Sequence, residues 1–283
     1  MSKSHWGSDP APLLAVSGGF ILSHVDPAST PGFEGRKKDG VQALADSAVE
    51  VASLQERLYA ESRSGGARRV LVVLQAMDTA GKGGVIRYVF GAIDPQGTKV
   101  YGFKKPTPEE LSHDFLWRIR KQVPGPGIVG VFDRSHYEDV LIGRVRSLAP
   151  AEEIEARYGQ IMDFENELVA EGTTLIKVML HISPGEQRAR LAERLGRDDK
   201  HWKYNPGDID ERELWPDYQK AYQIALERTS TAQAPWYVVP ADHKWYARVA
   251  VQKLLLDALQ RLDPQWPAAT FDVEAEKKRL AQS

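Results

Sequence analysis

Cysteine is absent from the 283 residues, which removes disulfide scaffolds and thiolate metal sites from consideration. No apolar stretch approaches the roughly 18 residues needed to cross a bilayer. Met1 to Pro10 also lacks a cationic start followed by an apolar core. The expectation is a cytoplasmic protein with no membrane partner. An excess of charge of either sign is missing too: 37 Lys and Arg face 39 Asp and Glu, for a formal net charge of -2. A polyanion cannot then be held by a globally basic surface, nucleic acid is not an expected partner, and any cationic site must be local. No internal repeat is visible. What is present, 42% hydrophobic and 27% charged residues, suits one sizeable α/β domain.

The most informative segment is Ala76-Met77-Asp78-Thr79-Ala80-Gly81-Lys82-Gly83-Gly84, which directly follows the apolar run Val70-Leu71-Val72-Val73-Leu74. A buried strand running into a glycine-rich turn with a lysine is the architecture of a phosphate-binding loop. Successive backbone N–H groups point into one concavity, the next helix offers its positive end, and the lysine adds a mobile charge. The segment departs from G-x-x-x-x-G-K-[ST] at both ends, with Ala76 in place of the first glycine and Gly83 in place of the magnesium-binding hydroxyl. Asp78 is the candidate that replaces that hydroxyl as a metal ligand, since magnesium favours hard carboxylate oxygens.

A second apolar run, Gly127-Ile128-Val129-Gly130-Val131-Phe132, ends in Asp133-Arg134-Ser135-His136-Tyr137-Glu138-Asp139. An aspartate at the carboxyl end of a neighbouring parallel strand is where phosphoryl-transfer enzymes place a second metal carboxylate. Asp133 fits that role, though an aspartate there can also cap the following helix and pair with Arg134. Asp242, just beyond Val238-Val239-Pro240, is placed at a third strand end. His113, His136 and His243 are not spaced as metal ligands.

The cations do cluster. From Gln187 the chain reads Arg188, Arg190, Arg194, Arg197, Lys200 and Lys203 before Asn205-Pro206-Gly207 breaks the pattern. Arg190, Arg194 and Arg197 are spaced four and three apart, which puts them on one face if the helix runs that far. Such a run is either a solvated face or a cationic flap over an anionic chain.

The rhythm of strand, loop and helix predicts a parallel sheet with helices on both faces, because parallel strands need crossovers long enough to hold a helix. Residues 1–40, rich in Pro, Gly and Ser, read as an N-terminal arm, poorly ordered or wrapped on the surface. Residues 41–265 form the domain and 266–283 a C-terminal tail. Helices are expected over about 41–61, 83–92, 108–122, 152–171 and 246–262, and further strands near 99–103, 174–181 and 236–239.

Taken in order, several pieces resemble the polyphosphate kinase 2 family, which transfers phosphate between inorganic polyphosphate and nucleotides. They are Asp78 to Gly84, Asp94-Pro95-Gln96-Gly97, Phe103-Lys104-Lys105-Pro106-Thr107, Phe132 to Val140, Lys200-His201-Trp202-Lys203 and Ala234 to Lys244. The resemblance covers roughly residues 40 to 265 and implies a P-loop kinase-like fold with a helical basic lid at about 186–214. It implies catalytic roles for Asp78, Lys82, Asp133 and Arg134, with Asp78 and Asp133 holding magnesium or manganese. It places polyphosphate on Thr79, Ala80, Gly81, Lys82, Gly83, Gly84, Arg134, Arg190, Arg194, Lys200 and Lys203. The nucleotide falls to Lys104, Lys105, Tyr137, Glu138, Asp139 and Trp236, although Trp236 and Trp202 fit core packing or surface anchoring as well as base stacking. The Ser135-His136-Tyr137-Glu138-Asp139 run is most similar to the class that phosphorylates both AMP and ADP, yielding ATP. Homodimers or homotetramers are implied, and light scattering that found only monomer would count against them. An ATP-dependent nucleoside monophosphate kinase and a non-catalytic polyanion binder are the rival readings.

Overall fold

The computed structural model describes residues 5–283, so the first four residues of the arm lie outside the described residues. In chain order the main elements are α1 (Lys37–Ser62), β1 (Arg69–Ala76), α2 (Lys82–Val89), β2 (Thr98–Gly102), β3 (Val129–Asp133) and α3 (Ala151–Ala170). There follow β4 (Thr173–His181), α4 (Pro184–Leu195), α5 (Gly207–Glu213), α6 (Trp215–Thr229), β5 (Trp236–Pro240) and α7 (Lys244–Leu262). All five strands are parallel, in the order β2-β3-β1-β4-β5. Val70 to Leu74 is a continuous apolar run because β1 is the central strand, buried on both faces. α1, α2 and α7 pack together as one layer, and α3 with α6 forms the other. Gly40 permits the closest approach in the first layer: a Cβ there would meet the Trp245 ring at 2.2 Å.

Residues 5–36 run across the surface and bury Leu14, Val16, Leu22 and Phe33. Ala15 forms an antiparallel bridge to Tyr237, and Val16 N–H donates to Trp236 O at 2.8 Å, so this stretch covers the outer edge of β5. The helix expected over 108–122 is two short pieces, Pro108–Leu111 and Trp117–Arg120. Between them Asp114 Oδ1 accepts from Leu116 N–H at 3.0 Å, a local bond that competes with helix continuation. Beyond α7 the tail carries an exposed helix, Val273–Ala281.

A polar hub lies inside the apolar core beneath the β3 turn. Lys177, mid-strand in β4, donates to Glu165 Oε2 at 2.5 Å and to Thr229 O at 2.6 Å. Tyr137 Oη donates to Glu165 Oε1 at 2.7 Å, and His136 Nε2 lies 3.3 Å from the same oxygen. Trp236 Nε1 donates to Thr229 Oγ1 at 2.9 Å. Burial pushes the Glu165 carboxyl up, but Lys177 and His136 outweigh it and hold the group below its usual range. A buried ion pair gains little over an apolar pair, whereas removing one partner leaves a bare charge. Glu165→Gln should therefore cost about 3–5 kcal/mol, lowering Tm by on the order of 10 °C. Because folding depresses the Glu165 pKa, its stabilisation is present above the unfolded value of 4.5 and is lost as pH falls through the folded one. Melting curves of parent and variant should thus converge on acidification, and a gap that widened toward low pH would contradict the charged pair.

Candidate active site

β1 delivers the chain to the loop that follows Ala76. Thr79 and Gly81 both take positive φ, at 65° and 119°, and Gly81 precedes the first turn of α2 with no side chain capping it. The first N–H groups of a helix have no partner within it, so the uncapped start of α2 offers donors to an anion. Positive φ is rare for a β-branched residue such as Thr79, and strain of this kind collects at functional sites. Lys82, nearly buried, folds back so that Nζ lies 3.4 Å from Ala76 O and 3.9 Å from Asp133 Oδ1.

β3 ends beside the loop because it pairs directly with β1, Asp133 standing opposite Leu74 in the register. Arg134 also has a φ of 65°, and its N–H donates to Leu74 O at 3.0 Å. Gln75 Nε2, fully buried, donates to Ser135 Oγ at 3.1 Å and ties the end of β1 to the turn after β3. The two strand ends then exchange ion pairs: Arg134 Nη2 reaches Asp78 Oδ1 at 3.3 Å, and Lys82 reaches Asp133. Burial opposes charge on Arg134, but Glu138, Asp78 and Asp133 overcome it and raise its pKa. Burial raises the Glu138 carboxyl against the pull of Arg134 and Lys82, so Glu138 lies within electrostatic reach of the same cluster.

These elements bound a cavity of about 740 Å³. Eleven lysines and arginines line it against three carboxylates, Asp78, Asp133 and Glu193, so the local charge is strongly positive in a chain whose net charge is slightly negative. Among the described residues no group of three or more His, Asp or Glu could hold a metal by itself. Two carboxylates, each about one-third exposed to the cavity, do fit magnesium, which keeps several waters and takes its other oxygens from phosphate. The family described as Polyphosphate kinase 2 (PPK2) matches residues 34–267. The chain belongs to the polyphosphate kinase 2 family.

Full-length similarity agrees. The chain is 48% identical over 250 residues to the AMP/ADP-polyphosphate phosphotransferase of Meiothermus ruber, covering 88% of this chain and 92% of that protein. It is 39% identical to the ADP-polyphosphate phosphotransferase of Rhodopseudomonas palustris, with 90% of each covered. The crystal structure of polyphosphate kinase 2 from Arthrobacter aurescens TC1 superposes with a TM-score of 0.97 at 56% identity over the whole of both chains.

In this polyphosphate kinase 2 chain, the loop from Asp78 to Gly84, with Lys104, Asp133, Arg134, Arg190, Arg194, Lys200 and Lys203, all border the one cavity. Arg194 Nη1 sits 3.2 Å from Lys203 O and 3.5 Å from Asp208 Oδ2. Five of the assigned residues sit elsewhere than expected. Tyr137 and Trp236 are core residues of the polar hub, 0% and 2% exposed, so neither presents a face to a nucleotide base. Asp139 faces Arg157 on α3 at 3.5 Å rather than the cavity. Arg190 borders the cavity, but its guanidinium is spent on backbone carbonyls. Lys105 is exposed and outside the cavity lining. Trp202, exposed on the turn at 198–203, fits the surface reading rather than base stacking. Asp242 is a strand-end aspartate of a different kind, its Oδ1 accepting from Ser183 N–H at 2.8 Å where α4 begins.

Sequence reasoning missed Arg87, Lys244 and Arg248 among the cavity cations. Lys244 and Arg248 are four residues apart at the start of α7, just past the end of β5, a spacing that would have placed them at the carboxyl edge of the sheet. Arg248 stands over the Tyr88 ring at 4.0 Å, and burial lowers its pKa. Asp208 was missed as well; it lies 3.5 Å from Arg194 Nη1, and burial with the neighbouring Asp78 raises its carboxyl.

Proposed function

We propose that this chain moves the terminal phosphoryl group of inorganic polyphosphate onto AMP and ADP, reversibly, within the cavity described above. The observation that carries the reading is the crossed pair of strand ends, Asp78 with Arg134 and Asp133 with Lys82, inside a cation-lined cavity large enough for two phosphate chains. A nucleotide phosphate oxygen attacks the terminal phosphorus of the polyphosphate in line. The bridging P–O bond breaks, and its electron pair leaves on the shortened chain. The attacking oxygen is already anionic, so no strong base is needed; the barrier lies in bringing two polyanions together and stabilising charge on the transferring group.

Lys82 and Arg134 are the cations nearest the two strand-end carboxylates, and we assign them to the non-bridging oxygens of the transferring group. Asp78 and Asp133 are the carboxylates that would hold magnesium, which when bound would neutralise phosphate charge. Lys104 borders the cavity on the β2 side and is assigned to the nucleotide phosphates. Residues 186–214 act as the lid, with Arg194 and Lys200 closing on polyphosphate. The deciding assay mixes purified protein, magnesium, AMP and long-chain polyphosphate, with formation of ADP and then ATP expected. Phosphorylation of AMP by ATP without any use of polyphosphate would overturn the assignment of the donor.

The lid assignment has its own test. Arg194→Ala should raise KM for polyphosphate several-fold more than KM for AMP, and added salt should reproduce part of the loss in the parent by screening. Equal losses for both substrates would show that Arg194 is not a contact of the donor chain.

A further inference from the structure

The inner face of α4 carries Gln187 and Arg190, three residues apart and both almost fully buried. Gln187 Nε2 donates to Asp78 O at 3.0 Å. Arg190 Nη1 donates to Thr79 O at 3.0 Å and Ala80 O at 2.9 Å, and Nη2 donates to Ala241 O at 2.7 Å and Asp242 O at 2.9 Å. Its Nε donates to Glu186 Oε1 at 2.8 Å. A guanidinium has five N–H donors, and each has an acceptor here, so none is left over for a phosphate oxygen. Three successive loop carbonyls, those of Asp78, Thr79 and Ala80, are thus drawn toward α4. In a trans peptide the N–H points opposite to the carbonyl of the preceding residue. Pinning these carbonyls therefore turns the Thr79 and Gly81 N–H groups away from α4, while Ala80 N–H is taken up by Met77 O. The same contacts hold Thr79 at a φ of 65°, a conformation a β-branched residue does not keep unaided. Arg212 of α5 extends the chain of contacts, donating to Gln187 Oε1 at 2.6 Å and Pro184 O at 3.1 Å.

We propose that Gln187 and Arg190 are positioning residues that set the phosphate loop. Together they clamp it to the end of β5 and couple its shape to the segment carrying Arg194 and Lys200. The proposal rests on the phosphotransferase reading and refines it: Arg190 acts on the transferring phosphate only through the loop backbone. Lysine cannot replace it, because one ammonium cannot span carbonyls on both the loop and the β5 end.

The test compares the parent with Arg190→Lys, Arg190→Ala and Gln187→Leu. For each arginine variant kcat should fall by about a hundredfold, the loss typical of a misplacement of about 1 Å. KM for polyphosphate should move by less than about threefold, because no substrate contact is removed. Gln187→Leu should show the same split at smaller size. Millimolar guanidinium should restore part of kcat in Arg190→Ala and none in Arg190→Lys, where the ammonium fills the slot. Hydrogen exchange on the ligand-free proteins supplies a readout independent of turnover, with faster exchange expected at the hydrogen-bonded amides of Ala80 and Gly84 and unchanged exchange in β4 and α3. A raised KM for polyphosphate with intact kcat would make Arg190 a direct donor contact and overturn the proposal. So would unchanged loop exchange, or exchange that accelerates throughout the molecule. If the parent itself shows no polyphosphate-dependent turnover, the functional reading fails, and loop exchange alone still decides the clamp.

Discussion

Asp133→Asn should abolish most turnover of polyphosphate with AMP while leaving the melting temperature within a few degrees of the parent, and Asp78→Asn should do the same. The two effects differ in size for a physical reason. Each carboxylate is about one-third exposed and pairs with its cation at 3.9 or 3.3 Å, and ion pairs of that kind contribute about 0–1 kcal/mol to stability. A metal carboxylate acts on the transferring group, where charge neutralisation is worth several kcal/mol and each ~1.4 kcal/mol is tenfold in rate. Asparagine keeps the shape and one oxygen but loses the charge. Steady-state kinetics across a magnesium titration, alongside thermal melts, make the measurement. Activity within about tenfold of the parent in either variant would contradict the metal assignment for that residue.

Lys82→Met separates chemistry from docking. Lys82 stands at the junction of loop and helix, close to both a loop carbonyl and Asp133, and its ammonium can follow charge from bridging to non-bridging oxygens during transfer. Positioned charges of this kind supply about 3 kcal/mol or more, on the order of a hundredfold in rate. Methionine matches the alkyl stem of lysine, so if Lys82 merely covers the helix start the substitution would be nearly silent. The expected result is a kcat lowered by about a hundredfold with a much smaller rise in KM for polyphosphate. A kcat near that of the parent, at an unchanged melting temperature, would sink the role of Lys82.

The strands, the glycine-rich loop and the two strand-end aspartates were legible in the sequence because each is a local pattern. A run such as Val70 to Leu74 can be satisfied only by a strand buried on both faces, and an acidic residue at the end of such a run falls at the carboxyl edge of the sheet. The limits of the helices expected at 41–61, 83–92, 152–171 and 246–262 were legible to within a few residues, whereas the local bond of Asp114 breaks the one expected over 108–122 and α6 was not read from the sequence. The order of the strands was not local, and it decides which strand ends meet. Pairing of β3 with β1 sets Asp133 beside the loop, while β5 lies at the far edge, so Asp242 serves the start of α4 and takes no part in the aspartate pair.

The same limit explains the residues whose roles changed. Helical spacing puts Arg190 and Arg194 on one face of α4, yet only the packing of that helix against the loop spends the first on carbonyls and leaves the second at the cavity. Tyr137 and Trp236 carry polar tips that suit a base or a buried partner equally; Lys177 and Glu165, from elements far away in sequence, claim the first, and Thr229 on the preceding helix claims the second. Spacing determines which side chains share an element and a face. What each side chain finally touches is decided by the neighbour that arrives from elsewhere in the chain, because a hydrogen bond or an ion pair depends on distances of a few ångströms that only tertiary packing sets.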